Sequence, residues 1–153
     1  LFASVFADRR IDSVMTVATK GIPLAYAVAG FLDVPFVIVR RDNKVTEGSM
    51  VSINYVSGSS KRIQTMTLAK RSLKEGSNVL IVDDFMKAGG TINGMISLLA
   101  EFGANVSGIG VLVESESADE RLVNEYISLI KLFDVNEKER SIQVSKGNYF
   151  DFL

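Results

Sequence analysis

Hydrophobic positions in this chain fall into short runs separated by polar turns, and the period of the runs changes along the sequence. Ser13-Val14-Met15-Thr16-Val17-Ala18, Pro35-Phe36-Val37-Ile38-Val39 and Val79-Leu80-Ile81-Val82 are continuously apolar enough to be buried on both faces, the pattern of strands inside a parallel sheet. Leu24 to Leu32 and Thr91 to Phe102 have helical spacing instead. In the second of these, Ile92, Met95, Ile96, Leu99 and Phe102 make one stripe, and Gly103 suits a C-terminal cap. Pro23 suits the first turn of the first helix. Met50 to Val56 and Arg62 to Leu68 alternate with period two, as half-exposed strands do, and Ser57-Gly58-Ser59-Ser60-Lys61 joins them as a flexible loop.

The remaining stretches are shorter. Leu1 to about Asp8 reads as part of an amphipathic helix. Val106 to Val113 reads as a buried strand interrupted by two glycines, followed by a loop and a short helix around Glu120 to Tyr126. Leu129 to Val135 and Ile142 to Val144 read as late strands, and Asn148 to Phe152 is an aromatic tail suited to core packing. Strands alternating with helices predict a three-layer α/β domain with a mostly parallel sheet and a small two-stranded arm.

Composition narrows the function classes. A chain of 153 residues with 47% hydrophobic and 23% charged content is one domain with a substantial core. There is no apolar run of about 18 residues, so no membrane-spanning helix is expected. The absence of cysteine excludes disulfides and thiolate metal sites, and the absence of histidine removes the commonest general base. A net charge of −1 argues against nucleic-acid binding by this stretch alone. The charge is unevenly spread: Arg40 to Lys74 holds eight basic and two acidic residues, whereas the rest holds nine and sixteen. That local excess suits a polyanionic ligand.

The chemistry concentrates in Val79 to Thr91. A buried strand ends in Asp83-Asp84, and Phe85-Met86-Lys87-Ala88-Gly89-Gly90-Thr91 leads into a helix. Adjacent carboxylates repel, so stability does not call for them. They accept hydrogen bonds from sugar hydroxyls or hold a divalent cation. The paired glycines and the helix N-terminus offer N–H groups to a phosphate. In open parallel sheets ligands sit at this end of the strands, so a sugar phosphate is the expected ligand. A purely structural loop with Thr91 as an N-cap accounts for the helix but not for the acids.

These thirteen residues resemble the phosphoribosylpyrophosphate (PRPP) signature of type I phosphoribosyltransferases: an apolar run, two acids, two variable residues and a small-residue turn ending in threonine. The resemblance implies the three-layer fold of that family with a hood formed by the arm. It implies that Asp83 and Asp84 hold the ribose hydroxyls and that Phe85, Met86, Lys87, Ala88, Gly89, Gly90 and Thr91 form the 5-phosphate turn. It further implies that Ala18, Thr19, Lys20 and Gly21 form the pyrophosphate loop, and that Arg40, Arg41 and the hood's Ser59 reach the same ligand. Lys87-Ala88 departs from the Ala-Thr found there in many family enzymes.

With Val-Ala-Thr-Lys-Gly-Ile-Pro at 17–23 and Tyr-Val-Ser-Gly-Ser-Ser at 55–60, the chain is similar to the effector domain of the purine operon repressor family of Gram-positive bacteria. That resemblance covers nearly the whole chain. It implies a cytoplasmic transcriptional regulator in which PRPP acts as inducer without turnover. The resemblance also implies a winged-helix DNA-binding domain upstream, and the opening in mid-helix is expected of a piece of a longer chain. A homodimer, guanosine tetraphosphate or other purine nucleotides as competitors, and Mg²⁺ with PRPP are also expected. The alternative is an active purine phosphoribosyltransferase of adenine or xanthine type. Against it, Val56 stands where the resemblance to adenine-type members places an acid near the base, no acid lies between Asn54 and Lys74, and the nearest candidate base to that position is Glu47.

Overall fold

The computed structural model describes residues 1–41, 48–57, 62–116, 121–136 and 138–152. Its centre is a six-stranded sheet. The strands in chain order are β1 (Ser13–Val17), β2 (Phe36–Val39), β5 (Asn78–Met86), β6 (Asn105–Ser115), β7 (Ile127–Asn136) and β8 (Ser141–Lys146), arranged in space as β2-β1-β5-β6-β7-β8. Every neighbouring pair is parallel except β7 with β8, which pair antiparallel at the edge. A separate antiparallel arm is made by β3 (Met50–Val56) and β4 (Ile63–Ala69). It joins the main sheet through paired backbone hydrogen bonds between Arg40 and Thr67.

The alternation of side chains along β5 builds both halves of the core. Val79 and Ile81 face one side, with Met15 from β1, Met66 from the arm and Met95, Leu98 and Leu99 from helix α3 (Gly90–Glu101). Leu80 and Val82 face the other, with Val14 from β1, Ala25 and Ala29 from helix α2 (Ile22–Leu32) and Phe2 from helix α1 (Phe2–Val5). This is the expected three-layer α/β domain, with the arm packed on the α3 side. The glycines that interrupt β6 have a packing role: a β-carbon at Gly108 would meet the ring of Phe6, just after α1, at 2.6 Å, and one at Gly110 would meet the ring of Phe2 in α1 at 3.1 Å, so both rings pack directly on the strand backbone.

Three expectations are corrected. The first helix spans only Phe2–Val5 rather than reaching Asp8. Residues 121–126, expected to be helical, adopt no regular structure because non-local hydrogen bonds claim them, as described below. Helix α3 starts at Gly90 with Gly89 as its N-cap, so Thr91 lies inside the first turn and does not cap it. The aromatic tail forms a short 3-10 turn (Asn148–Phe152), with Tyr149 buried beside Phe2 and Ile127.

Candidate functional site

The end of β5 positions the two acids. Four residues of the strand interior are fully buried, and the strand then emerges at Asp83, which is 7% exposed, and at half-buried Asp84. The Asp84 N–H donates to Asp83 Oδ1 at 3.0 Å, which fixes the first carboxylate against the backbone of the second. Burial raises the Asp83 carboxyl from 3.8 to about 7, and the adjacent Asp84 charge adds to the rise; the Asp84 N–H and the Arg41 guanidinium oppose it.

The turn after the acids is set by one backbone conformation. Gly89 has φ +85°, a left-handed geometry that most residues avoid. It directs the chain into α3, whose N-terminus has no side-chain cap. Gly89, Gly90 and Thr91 at this N-terminus line the same cleft as Asp83 and Asp84, and an uncapped helix N-terminus attracts anions.

The opposite wall comes from the loop between β1 and α2. The Ala18–Thr19 peptide is cis. Gly21 is buried beneath this loop: a β-carbon there would lie 2.1 Å from Thr16 Oγ1 and 3.2 Å from Asp83 Oδ1. Close contact between loop and strands thus depends on the missing side chain. Thr16 Oγ1 is fully buried and has no hydrogen-bond partner among the described residues.

Together these elements enclose a cleft of about 370 Å³. Of the residues expected at the site, Ala18, Thr19, Lys20, Arg41, Asp83, Asp84, Phe85, Met86, Lys87, Ala88, Gly89, Gly90 and Thr91 line it. Val17 and Ile92, which the sequence reading did not single out, also line it. Gly21 supports it from below. Arg40 does not join it. Its backbone pairs with Thr67, and it lines a different groove with Arg10, Arg71 and Lys74. Consecutive residues at a strand end diverge, and Arg41 alone turns into the cleft. Ser59 and Glu47 lie outside the described residues. Two acids and three cations thus surround a space lined also by backbone N–H groups, which suits a polyol bearing phosphates.

A second polar group stands at the end of β6, beside the turn. Glu114, opposite Met86 in the strand register, is 6% exposed. Its Oε2 accepts from the Tyr126 hydroxyl at 2.6 Å and from Arg121 Nη2 at 2.9 Å, and its Oε1 accepts from Ser128 Oγ at 2.7 Å. Burial pushes this carboxyl up, but the hydrogen bonds from Ser128 and Tyr126 and the Arg121 charge outweigh it, so it sits below its usual range. Burial and the bond to Glu114 push the Tyr126 hydroxyl up to about 12. This group was not among the residues that the sequence pattern marked for chemistry. The available signal was an acid directly following a buried apolar run.

Sheet order, arm and cleft together define a domain of phosphoribosyltransferase type. The chain belongs to the phosphoribosyl transferase domain family, whose model matches residues 1–144. Within it, the chain is 75% identical over 153 residues to the purine biosynthesis transcriptional repressor PurR of Bacillus subtilis (strain 168), covering 100% of this chain and 54% of that protein. It is 54% identical over 151 residues to the purine biosynthesis transcriptional activator PurR of Lactococcus lactis subsp. lactis (strain IL1403), covering 99% of this chain and 56% of that one. The chain therefore spans about half the length of these curated relatives. Among solved structures, adenine phosphoribosyltransferase from Thermoanaerobacter pseudethanolicus superposes with a TM-score of 0.76 at 29% identity, over 85% of this chain and 76% of that one. Among the described residues, no helix is long and apolar enough to cross a membrane.

Proposed function

We propose that this chain is the effector domain of a cytoplasmic purine biosynthesis regulator and that its cleft binds PRPP without turning it over. The observation that carries the reading is the pair Asp83–Asp84 facing the uncapped N-terminus of α3 across the Lys87–Gly89 turn. In this reading the ribose hydroxyls donate to the two carboxylates and the 5-phosphate accepts from the N–H groups of the turn. The pyrophosphate meets Lys20 and Arg41 on the opposite wall. In the intact protein PRPP acts as inducer. It does so by binding the DNA-bound and free forms with different affinity, since equal affinity shifts nothing. DNA is held by a winged-helix domain upstream, the protein is a homodimer, and purine nucleotides such as guanosine tetraphosphate compete for the cleft.

Adjacent carboxylates beside a phosphate site are the donors that Mg²⁺ shares with phosphate ligands. Among the described residues, no cluster of three or more acidic groups exists to hold the ion alone. In this reading Mg²⁺ comes with PRPP, and Asp83 and Asp84 are the residues that would meet it.

The second reading, an active purine phosphoribosyltransferase, is favoured by the likeness to the adenine enzyme. Against it stands the arm: the sequence has no histidine, and no acid between Asn54 and Lys74, to assist a base. Incubating the protein with labelled PRPP, Mg²⁺ and a panel of purine bases separates the two. Intact PRPP retained on the protein, with no pyrophosphate released, is the expected result. Pyrophosphate release with any base would establish the enzyme.

A further inference from the structure

The turn that faces the cleft has a second face, and a buried polar network builds what lies against it. Leu122 N–H donates to the Ala88 carbonyl at 2.8 Å. Val123, 5% exposed, packs on Gly89 so closely that a β-carbon there would meet Val123 Cγ2 at 3.2 Å. These contacts come from a segment with no helix or strand to hold it in place. Its position is set by side chains. Arg121 donates to the Ser115 carbonyl at 3.0 Å, to Glu114 and to the Tyr126 hydroxyl, and Tyr126 donates in turn to Glu114. Asn148 Nδ2 holds the Tyr126 carbonyl at 2.8 Å, and Ser128 N–H donates to Asn148 Oδ1 at 2.6 Å.

Such a network is weak evidence for stability, because burying charges costs about what their attraction returns. What it provides is geometry: the segment enters at Arg121 and leaves at Tyr126, both tied to Glu114, so Leu122 and Val123 meet the turn in one register. We infer that Tyr126, acting through Arg121 and Glu114, is a positioning residue that holds residues 121–123 against Ala88 and Gly89 and thereby sets affinity for the ligand's 5-phosphate end. This rests on the reading of the cleft as a PRPP site and adds a determinant that does not line it. The pyrophosphate wall, built from Ala18 to Lys20 and Arg41, comes from the opposite side of the cleft, on β1–α2 and β2. The two halves of the ligand therefore respond differently.

The test is calorimetric titration of ribose 5-phosphate and, separately, pyrophosphate with Mg²⁺, into the wild-type protein and Tyr126→Phe. Loss of the two charge-assisted bonds of the Tyr126 hydroxyl, to Glu114 and from Arg121, should weaken ribose 5-phosphate about tenfold and leave pyrophosphate binding unchanged. Unchanged ribose 5-phosphate affinity in a folded Tyr126→Phe overturns the inference. Equal weakening of both ligands also overturns it, because that marks general loosening. Should Tyr126→Phe fail to fold, Val123→Ala carries the same selective expectation, and an unaltered ribose 5-phosphate affinity there is equally fatal. A wild-type protein that binds no ribose 5-phosphate rejects the reading of the cleft itself, and this inference with it.

Discussion

Gly21 rests on Thr16 so closely that a β-carbon would lie 2.1 Å from the Thr16 hydroxyl oxygen. Thr16 is fully buried and β-branched, so its side chain has little freedom to rotate away. Gly21 itself has ordinary helical dihedrals, φ −70° and ψ −15°, so the requirement is for space and not for backbone conformation. The same contact brings the loop to Asp83, and through it β1, β5 and the start of α2 share one close-packed point beneath the cleft.

Gly21→Ala should therefore destabilise the protein by roughly 1–3 kcal/mol, the usual cost of overpacking, and weaken pyrophosphate binding by displacing the Ala18–Lys20 loop. Gly30→Ala is the contrast. It sits in the helix that Gly21 caps, and a β-carbon there meets nothing within 4 Å. Removing a helical glycine at an open position should stabilise by about 0.5–1 kcal/mol. Denaturant unfolding of both variants checks the pair. Equal effects would mean that the loop does not depend on the Gly21 contact.

The sequence carried most of the frame. Apolar runs revealed the central strands, period two revealed the arm, and the site on β5 was legible because two adjacent acids after a buried strand make no structural sense. What it hid was decided at longer range. Which of Arg40 and Arg41 enters the cleft depends on how β2 ends against the arm, through the Arg40–Thr67 pairing. The start of α3 depends on the φ of Gly89, two residues before the expected threonine. Residues 121–126 have some helical character in isolation, but Glu114 and Ala88, distant in sequence, capture their hydrogen-bonding groups.

Lys87 is exposed at the mouth of the turn and lines the cleft. An exposed ammonium attracts phosphate through solvent, and that attraction is screened by salt. Lys87→Ala should weaken PRPP binding modestly at low salt and flatten the dependence of affinity on ionic strength. Asp84→Ala, which removes a direct acceptor for a sugar hydroxyl, should abolish binding at every salt concentration. Affinity measured across a salt series distinguishes the two. An unaltered slope in Lys87→Ala would assign that lysine to the solvated surface.

Asp83 gives the fold a pH dependence of calculable sign. Its carboxyl titrates near 3.8 unfolded and is raised to about 7 when folded, mainly by burial and then by the Asp84 charge. The folded state thus binds the proton more tightly than the unfolded state, and stability falls as the group ionises. The contribution is fully present below about pH 4, is lost progressively as pH rises toward 7, and is gone above it. Asn at this position keeps an oxygen to accept the Asp84 N–H and cannot ionise. Asp83→Asn should therefore match the wild type near pH 4 and exceed it by several degrees in unfolding temperature at pH 8. The midpoints of both proteins, measured without ligand from pH 4 to 8, check this. Parallel curves would mean that the carboxyl is already ionised in the folded protein at low pH. Asp83 would then have to be far better solvated than its burial against Gly21 and Asp84 allows.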